Sequence, residues 1–287
     1  MSKKNSNAIL KNIFKNLDTS SNIYFDFKTK LNKSKNKSFV IAVSGGPDSL
    51  ALTALSKAFS YEKKIKFYYV LINHKLRKNS SKEALQVKKL LKKHQIYLNI
   101  LTNLKPIKKN IQSEARKLRY ELLAKFCKKK NVKTILTAHN LEDQVETFFI
   151  RLSRGSGLTG LSAMKPSSEI NKKLKLFRPL LNIQKKDLIQ ISKKVFGKYF
   201  KDPSNINEKY LRTKIRNLKE PLIKSGISYD QIIKSINNLA SSKDTLDYYY
   251  KKTFKQLVEK TKDKITLNFS IFQDLKKEIK IRAINDS

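Results

Sequence analysis

The chain has a single cysteine, Cys127, in 287 residues. That excludes an internal disulfide and any cysteine-rich zinc or iron–sulfur site built within the chain. No apolar run approaches the roughly 18 residues of a membrane-spanning helix, so no membrane partner is expected. The polar opening MSKKNSNAILKNIFKN lacks the apolar stretch and small-residue cleavage site of a secretory signal, and the expected location is the cytoplasm. Acidic residues are scarce as well: 23 Asp and Glu stand against 63 Lys and Arg, a formal charge of +40. Such an excess points to an acidic polymer as partner. Lys, Asn and Ile dominate throughout, as in an organism with an AT-rich genome, so compositional drift explains the same excess and charge alone leaves both readings open.

Two further scarcities are informative because of where the exceptions fall. Only nine of the 63 basic residues are Arg, and eight of the nine lie between Arg77 and Arg216. Where Lys is the default cation, retained Arg marks positions that need a planar, bidentate donor for phosphate or carboxylate. Only seven residues are Gly; Gly45 and Gly46 form one cluster, and Gly155, Gly157 and Gly160 a second. What the chain has in quantity is apolar and aromatic material, 39% of residues with 15 Phe and 12 Tyr, enough for the core of one large domain or two ordinary ones.

Apolar, β-branched runs predict strands at 39–43 (FVIAV), 66–72 (KFYYVLI), 96–100 (IYLNI) and 133–138 (KTILTA). Helical spacing predicts helices near 48–60, 80–94, 112–130 and 141–153. This alternation predicts an α/β fold, a doubly wound parallel sheet, with residues 1–37 as a helix and lead-in. Beyond 154 come a glycine loop, a connector with Pro166 and Pro179, a helix near 183–196, and from about 221 a smaller, mainly helical C-terminal domain with one strand, KITLNF. Ligands of such sheets sit outside the carboxyl ends of the strands, where SGGPDS, NHKLR and AHNLEDQ all fall.

In SGGPDS, residues 44–49, Gly45 and Gly46 allow close backbone approach to a phosphate, and Ser44 and Ser49 add hydroxyls. Pro47 and Asp48 open the following helix, and a carboxylate there implies a bound Mg²⁺ or a capping role beside the phosphate. Neither GxxxxGK[ST] nor GxGxxG is matched. Asp143 and Glu146, three apart on a helix, share a face and with Glu142 suit a cationic amine or Mg²⁺; a solvated acidic helix start is the alternative. Arg116 and Arg119 clamp phosphate or stabilise transferring charge, or else pair with Glu114 and Glu121 on a surface helix. His139 donates to a phosphate, acts as acid or base, or is structural. RGSGLTG, with Arg151 and Arg154, reads as a phosphate-contacting loop or a connector, and Cys127 as core.

SGGPDS resembles the SGGxDS signature of the PP-loop ATP pyrophosphatases, which cleave ATP to AMP and pyrophosphate and adenylylate a substrate. AHNLEDQVETFFIRLSRGSGLTGLSAM, residues 138–164, is similar to the HHxDDQxETxxxRxxRGSGxxGLxxM stretch of the tRNA(Ile)-lysidine synthetases. NHKLR, SEARKLRY, FRPLL and KDPSNINEKYLRTKIRN resemble further elements of that family, so the similarity runs from about 39 to 218. Asn140 replaces a commoner His, and Glu142 a commoner Asp. The resemblance implies an adenine nucleotide alpha hydrolase-like, Rossmann-like ATP pyrophosphatase domain over 38–220 and a tRNA-contacting domain over 221–287. It implies a ligase that uses ATP and Mg²⁺ to join free L-lysine to the wobble cytidine of a CAU-bearing tRNA(Ile), and it allows a homodimer. Residues Ser44 to Ser49 would then hold ATP, with Asp48 on Mg²⁺; Asp143 and Glu146 would orient lysine, and Arg116 would stabilise the charged centre. His139, Arg119, Arg151, Arg154, Arg212 and Arg216 would meet tRNA or phosphate. The rivals are another PP-loop tRNA modifier such as a thiolase, which usually carries paired cysteines, and a non-catalytic basic nucleic-acid-binding protein.

Overall fold

The computed structural model describes residues 22–105, 107, 109–201, 210–261 and 264–286. It contains two compact units: the described parts of Met1–Thr147 with Met164–Pro221, and Phe148–Ala163 with Leu222–Ser287.

The first unit is built on β1, Ser38–Val43, whose residues alternate between two faces. Phe39, Ile41 and Val43 enter one apolar cluster and Val40 the other, so the strand is covered on both sides. On the first face lie α1 (Asn22–Asn32), α2 (Pro47–Glu62) and α3 (Ser80–Lys93), supplying Phe27, Leu55, Phe59 and Leu91. Phe27 meets Phe59 edge to face at 6.3 Å between ring centres. On the opposite face Leu123 and Cys127 of α4 (Ile111–Lys130) pack on Val40, Val70 and Ile135. Burial pushes the Cys127 thiol up to about 12, so it behaves as a core apolar group.

The sheet order is β3-β2-β1-β4-β6-β5, with β2 Lys66–Asn73, β3 Leu98–Thr102, β4 Thr134–Leu136, β5 Ser167–Asn171 and β6 Leu174–Phe177. Pairing is parallel except for β5, which runs antiparallel to β6 at the sheet edge. The doubly wound fold expected from the alternation is therefore present, with chain order reversing between β1 and β4. The β5–β6 hairpin is a correction: the sequence reading makes this stretch a connector. β5 (SSEIN) is polar apart from Ile170 and β6 (LKLF) is only four residues long, too short for its pattern to stand out, although Leu174 and Leu176 are buried in the core. A short polar edge strand is what discourages further pairing. Helix α5 (Leu141–Leu152) follows β4, and α7 (Lys185–Phe196) joins the first face through Leu188, Ile191 and Val195. Helices α8 (Leu211–Asn217) and α9 (Lys219–Lys224) complete this part of the chain.

The second unit includes the short α6 (Leu158–Leu161) and the 29-residue α10 (Tyr229–Leu257), which starts at a capping box between Ser228 and Gln231. The predicted C-terminal strand is β8 (Ile265–Leu267), paired antiparallel with β7 (Val258–Lys260). Helices α11 (Phe269–Asp274) and α12 (Lys277–Asp286) follow, and Tyr250, Leu257 and Ala283 form its small core. Positive charge is unevenly shared: the segments of this unit hold 15 Lys and Arg against 8 acids, while the first unit holds 48 against 15. Any polyanion is thus drawn chiefly to the first unit.

Candidate functional site

The loop after β1 is organised around Ser49. Its Oγ accepts the backbone N–H of Ser44 and of Gly45, each at 3.1 Å, and donates to the Gly46 carbonyl at 3.0 Å. Ser49 is buried, so its hydroxyl is an internal strut that curls the loop, while Ser44 is exposed. Gly46 caps α2 and Pro47 occupies its first turn. The first-turn amides of a helix have no intrahelical acceptor and favour an anion at that point. The two glycines serve different needs. Gly45 has φ +86°, and a Cβ there would lie 2.5 Å from Val87 Cγ2, whereas Gly46 has only Ser44 Oγ within reach at 3.5 Å. Gly45 thus lets the loop pack on α3, and Gly46 leaves the outer side of the turn bare. Gly45→Ala is expected to lose at least about 2 kcal/mol, from the left-handed backbone and the clash together, with nucleotide affinity falling alongside; a melting curve and a nucleotide titration check it.

Asp48 stands in the first turn of α2 with Oδ1 buried and without a hydrogen-bond partner. Burial pushes its carboxyl up to about 6, Lys185 draws it down, and Asp143 and Glu142 raise it again. An orphaned carboxylate oxygen beside other acids is suited to a hard cation that takes most of its oxygens from phosphate and water. Among the described residues no three His, Cys, Asp or Glu side chains converge as a complete metal site.

At the end of β4, Asn140 and Asp143 cap α5 reciprocally. Asn140 Oδ1 accepts from the Asp143 N–H and Asp143 Oδ2 from the Asn140 N–H, both at 3.0 Å. Asn140 also lies near enough to Asp48 to favour its charged form, which brings the exits of β1 and β4 together. Asn140→Ala should cost about 1 kcal/mol as a lost cap, read by denaturant unfolding. Glu142 ties α5 to later elements: its Oε2 accepts from the Lys185 N–H at 2.9 Å, and Lys219 Nζ lies 3.5 Å from Oε1. Gln144 clasps the Met164 backbone through both amide atoms, at 3.0 and 2.8 Å.

Asp143 and Glu146 do share a face, and the basic pair Arg212 and Arg216 of α8 meets them. Arg212 Nη2 lies 3.0 Å from Asp143 Oδ1 and its Nε 2.6 Å from Glu146 Oε2; Arg216 Nε lies 2.8 Å from Glu146 Oε1. The Glu146 side chain is only 3% exposed. Lone carboxylates so deeply placed would be strongly penalised, and the two guanidiniums offset that.

His139 accepts or donates at 2.9 Å between Nδ1 and Thr137 Oγ1. Burial, then Arg178, Arg116, Arg212 and Arg119, pull it down to about 3. It is therefore a neutral hydrogen-bonding group at working pH. Arg116 and Arg119 are exposed on α4, Arg116 lying 5.1 Å over the Tyr120 ring. The carboxyl ends of β1 and β4 thus carry an acidic set, Asp48, Asp143 and Glu146, and a cationic set around His139. Arg151 and Arg154 belong to the other unit. Arg151 Nη1 holds the carbonyls of Gly160 and Ala163 at 2.6 and 2.8 Å, which fixes the glycine loop, and Arg154 is exposed.

A family profile of the PP-loop domain matches residues 19–222. The chain belongs to the PP-loop family. Among its relatives, the tRNA(Ile)-lysidine synthase of Wolbachia pipientis wMel is 37% identical over 255 residues, covering 87% of this chain and 58% of that protein. That of Orientia tsutsugamushi (strain Boryong) is 40% identical over 192 residues, covering 66% of this chain and 43% of that protein. The chain spans about half the length of the curated relatives it matches. A solved structure, the U34-tRNA thiolase of Methanococcus maripaludis with its [4Fe-4S] cluster, superposes with a TM-score of 0.64 at 19% identity, over 76% of this chain and 78% of that one. That likeness establishes the shared fold.

The sequence reading did not single out Arg178 or Gln144 as site residues. Arg178 is buried, and its Nη1 donates to the Lys165 carbonyl at 2.8 Å and to Ser168 Oγ at 3.1 Å, while its charge helps to hold His139 neutral. Nothing in FRPLL announces that fold-back.

Proposed function

We propose that the chain carries a tRNA(Ile)-lysidine synthetase activity. ATP adenylylates the wobble cytidine of a CAU anticodon with release of pyrophosphate, and the ε-amine of free lysine then displaces AMP. The relatives' names support this reading, but the observation that carries it is the pairing of an acidic set and a cationic set at one end of the sheet. The loop 44–49 takes the phosphates, and Asp48 would hold Mg²⁺, which when bound neutralises charge on them. Arg116 and Arg119, exposed near neutral His139, suit the RNA phosphates and the charge that develops at the α-phosphate. Asp143 and Glu146, ion-paired to Arg212 and Arg216, are the carboxylates assigned to the lysine ammonium group, and the part-exposed guanidiniums suit tRNA phosphate. In the same proposal residues 38–220 form the catalytic domain, and 221–287 with Arg151 and Arg154 contact tRNA in the cytoplasm.

The second reading, sulfur transfer, needs thiol ligands or a relay, and the one thiol here is buried in the α4 core. Cys127→Ala is expected to cost about 1 kcal/mol as a small cavity and to leave turnover unchanged; abolished turnover in a folded variant would favour the thiolase. The test of the leading reading is pyrophosphate release from ATP with tRNA(Ile) transcripts. Release should depend on the tRNA and disappear when the wobble cytidine is replaced by uridine; release indifferent to that base would contradict it.

A further inference from the structure

The end of the sheet away from loop 44–49 is lined with lysine. β1, β2, β3, β4 and β6 run parallel, so their amino ends lie at one pole. The segments leading into them read KSKNK (33–37), KKIK (63–66), KKHQIY (92–97), KKKNVK (128–133) and NKKLK (171–175). Together they hold 15 Lys, every one exposed, and no Asp or Glu. At the ratio of 48 to 15 found over the first unit as a whole, 15 cations would come with about five acids. Compositional drift adds Lys everywhere, but it does not clear one pole of carboxylates. Two acids lie close by in sequence and both are matched: Glu62 is held by Lys28 at 3.2 Å and by the Tyr24 hydroxyl, and Glu169 stands opposite Lys175 in the β5–β6 ladder.

The strands join these segments into one surface. The Lys66 N–H donates to the Lys37 carbonyl at 3.0 Å, and the Lys175 N–H to that of Lys133 at 2.9 Å. Lys66 Nζ and Lys130 Nζ lie 5.2 and 5.9 Å from the centre of the Tyr68 ring, so the second and fourth segments converge. Five strands at about 4.8 Å spacing span about 20 Å, room for about six phosphates of a stacked strand at about 3.4 Å each. The six residues of β1 put this pole about 20 Å from loop 44–49, outside the site described above. We propose that the amino-end pole is a second RNA-docking surface, which grips a single-stranded segment by its backbone without regard to sequence. Lys, a point charge on a flexible stem, suits phosphate contact without base readout. Tyr97, 80% exposed at the entry to β3, supplies a ring for a base to stack on. An anionic membrane is a poorer match. Among the described residues, the exposed large apolar side chains in and beside these segments are Tyr61 and Tyr97, with no aliphatic or Phe wedge for the acyl region. The proposal needs none of the ATP or lysine chemistry of the proposed function.

The test uses the whole chain and a fluorescent oligouridylate of roughly six nucleotides, the length that the pole accommodates, which carries no cytidine. Combining Lys35→Gln, Lys64→Gln, Lys129→Gln and Lys173→Gln should weaken binding at least about tenfold at moderate salt. It should also lower the slope of log K against log salt by about 3, at about 0.7 per lost phosphate contact. A control combining Lys234→Gln, Lys251→Gln, Lys252→Gln and Lys255→Gln on α10 removes the same charge and should lose far less. Equal loss in the two variants, which would make net charge the cause, or no loss at the pole, would overturn the proposal. Tyr97→Ala should weaken binding at least about fivefold with no change in melting temperature, because the ring is exposed. In the wild type, 4-thiouridine in the oligonucleotide should photo-cross-link to the peptide bearing Tyr97; cross-links confined to the other end of the sheet would refute the assignment. Pyrophosphate release at saturating tRNA(Ile) should be unchanged in the pole variant, and its loss in a folded variant would deny a separate surface. Phosphatidylserine vesicles bound through these lysines in place of the oligonucleotide would replace RNA by a lipid surface. Oligonucleotide binding at the pole without lysine ligation would instead count against the proposed function alone.

Discussion

Asp48→Asn is expected to stabilise the ligand-free protein by about 2 kcal/mol at neutral pH while lowering ATP turnover at least about 100-fold. The Asp48 carboxyl moves from 3.8 to about 6 on folding, chiefly through burial. At 1.36 kcal/mol per pH unit that is about 3 kcal/mol against the charged form, the attractions to Lys185 and Asn140 already included, and about 2 kcal/mol of it is expected to be recovered because the amide does not reproduce the protonated carboxyl in full. The sign follows from proton binding. Between pH 3.8 and about 6 the folded protein holds more protons at this position than the unfolded chain, so its stability falls as pH rises through that window and stays low above it. The amide variant lacks this slope. Urea unfolding across the window should show the two proteins converging below it and separating above it. Equal stability at neutral pH would mean that the orphaned oxygen carries no penalty. A penalty of this size, retained in the loop proposed to hold ATP, is the expected signature of a residue placed for its ligand rather than for the fold.

The second large effect is at Glu146. Glu146→Gln leaves Arg212 and Arg216 facing a neutral amide in a position only 3% exposed. Breaking a buried pair costs about 3–5 kcal/mol. Here the guanidiniums are 39% and 32% exposed and recover some hydration, so about 2–3 kcal/mol is expected. Adding Arg216→Ala should return part of that loss, since the second change removes the stranded charge; strict additivity of the two would deny the coupling. In turnover, the apparent KM for lysine should rise at least about tenfold, with tRNA-dependent pyrophosphate release retained. Loss of both steps together, in a variant that remains folded, would move Glu146 from lysine handling to the first step.

The loop 44–49 was legible in the sequence because its demands are local: a strand end, two glycines and a helix start occur within ten residues. Even there the roles divided differently from the expectation. Ser49, read as a hydroxyl for phosphate, points into the loop, and Gly45 makes room for Val87. The acidic helix start was legible by spacing, since Asp143 and Glu146 fall one helical turn apart. Their partners were not, because Arg212 and Arg216 are 66 to 70 residues away and nothing local couples them. The polar hairpin of β5 and β6 escaped for a related reason: its pairing is decided by β4, not by its own pattern. Part of KDPSNINEKYLRTKIRN, residues 202–209, lies outside the described residues.

The central claim is that the acidic and cationic sets together join lysine to an activated tRNA base. The most direct measurement incubates the purified protein with ATP, Mg²⁺, labelled lysine and a transcribed tRNA(Ile) bearing CAU. Label should enter the tRNA with one AMP and one pyrophosphate released per lysine, and a transcript with the wobble cytidine replaced should stay unlabelled. Turnover of ATP with no label in the tRNA would contradict the account.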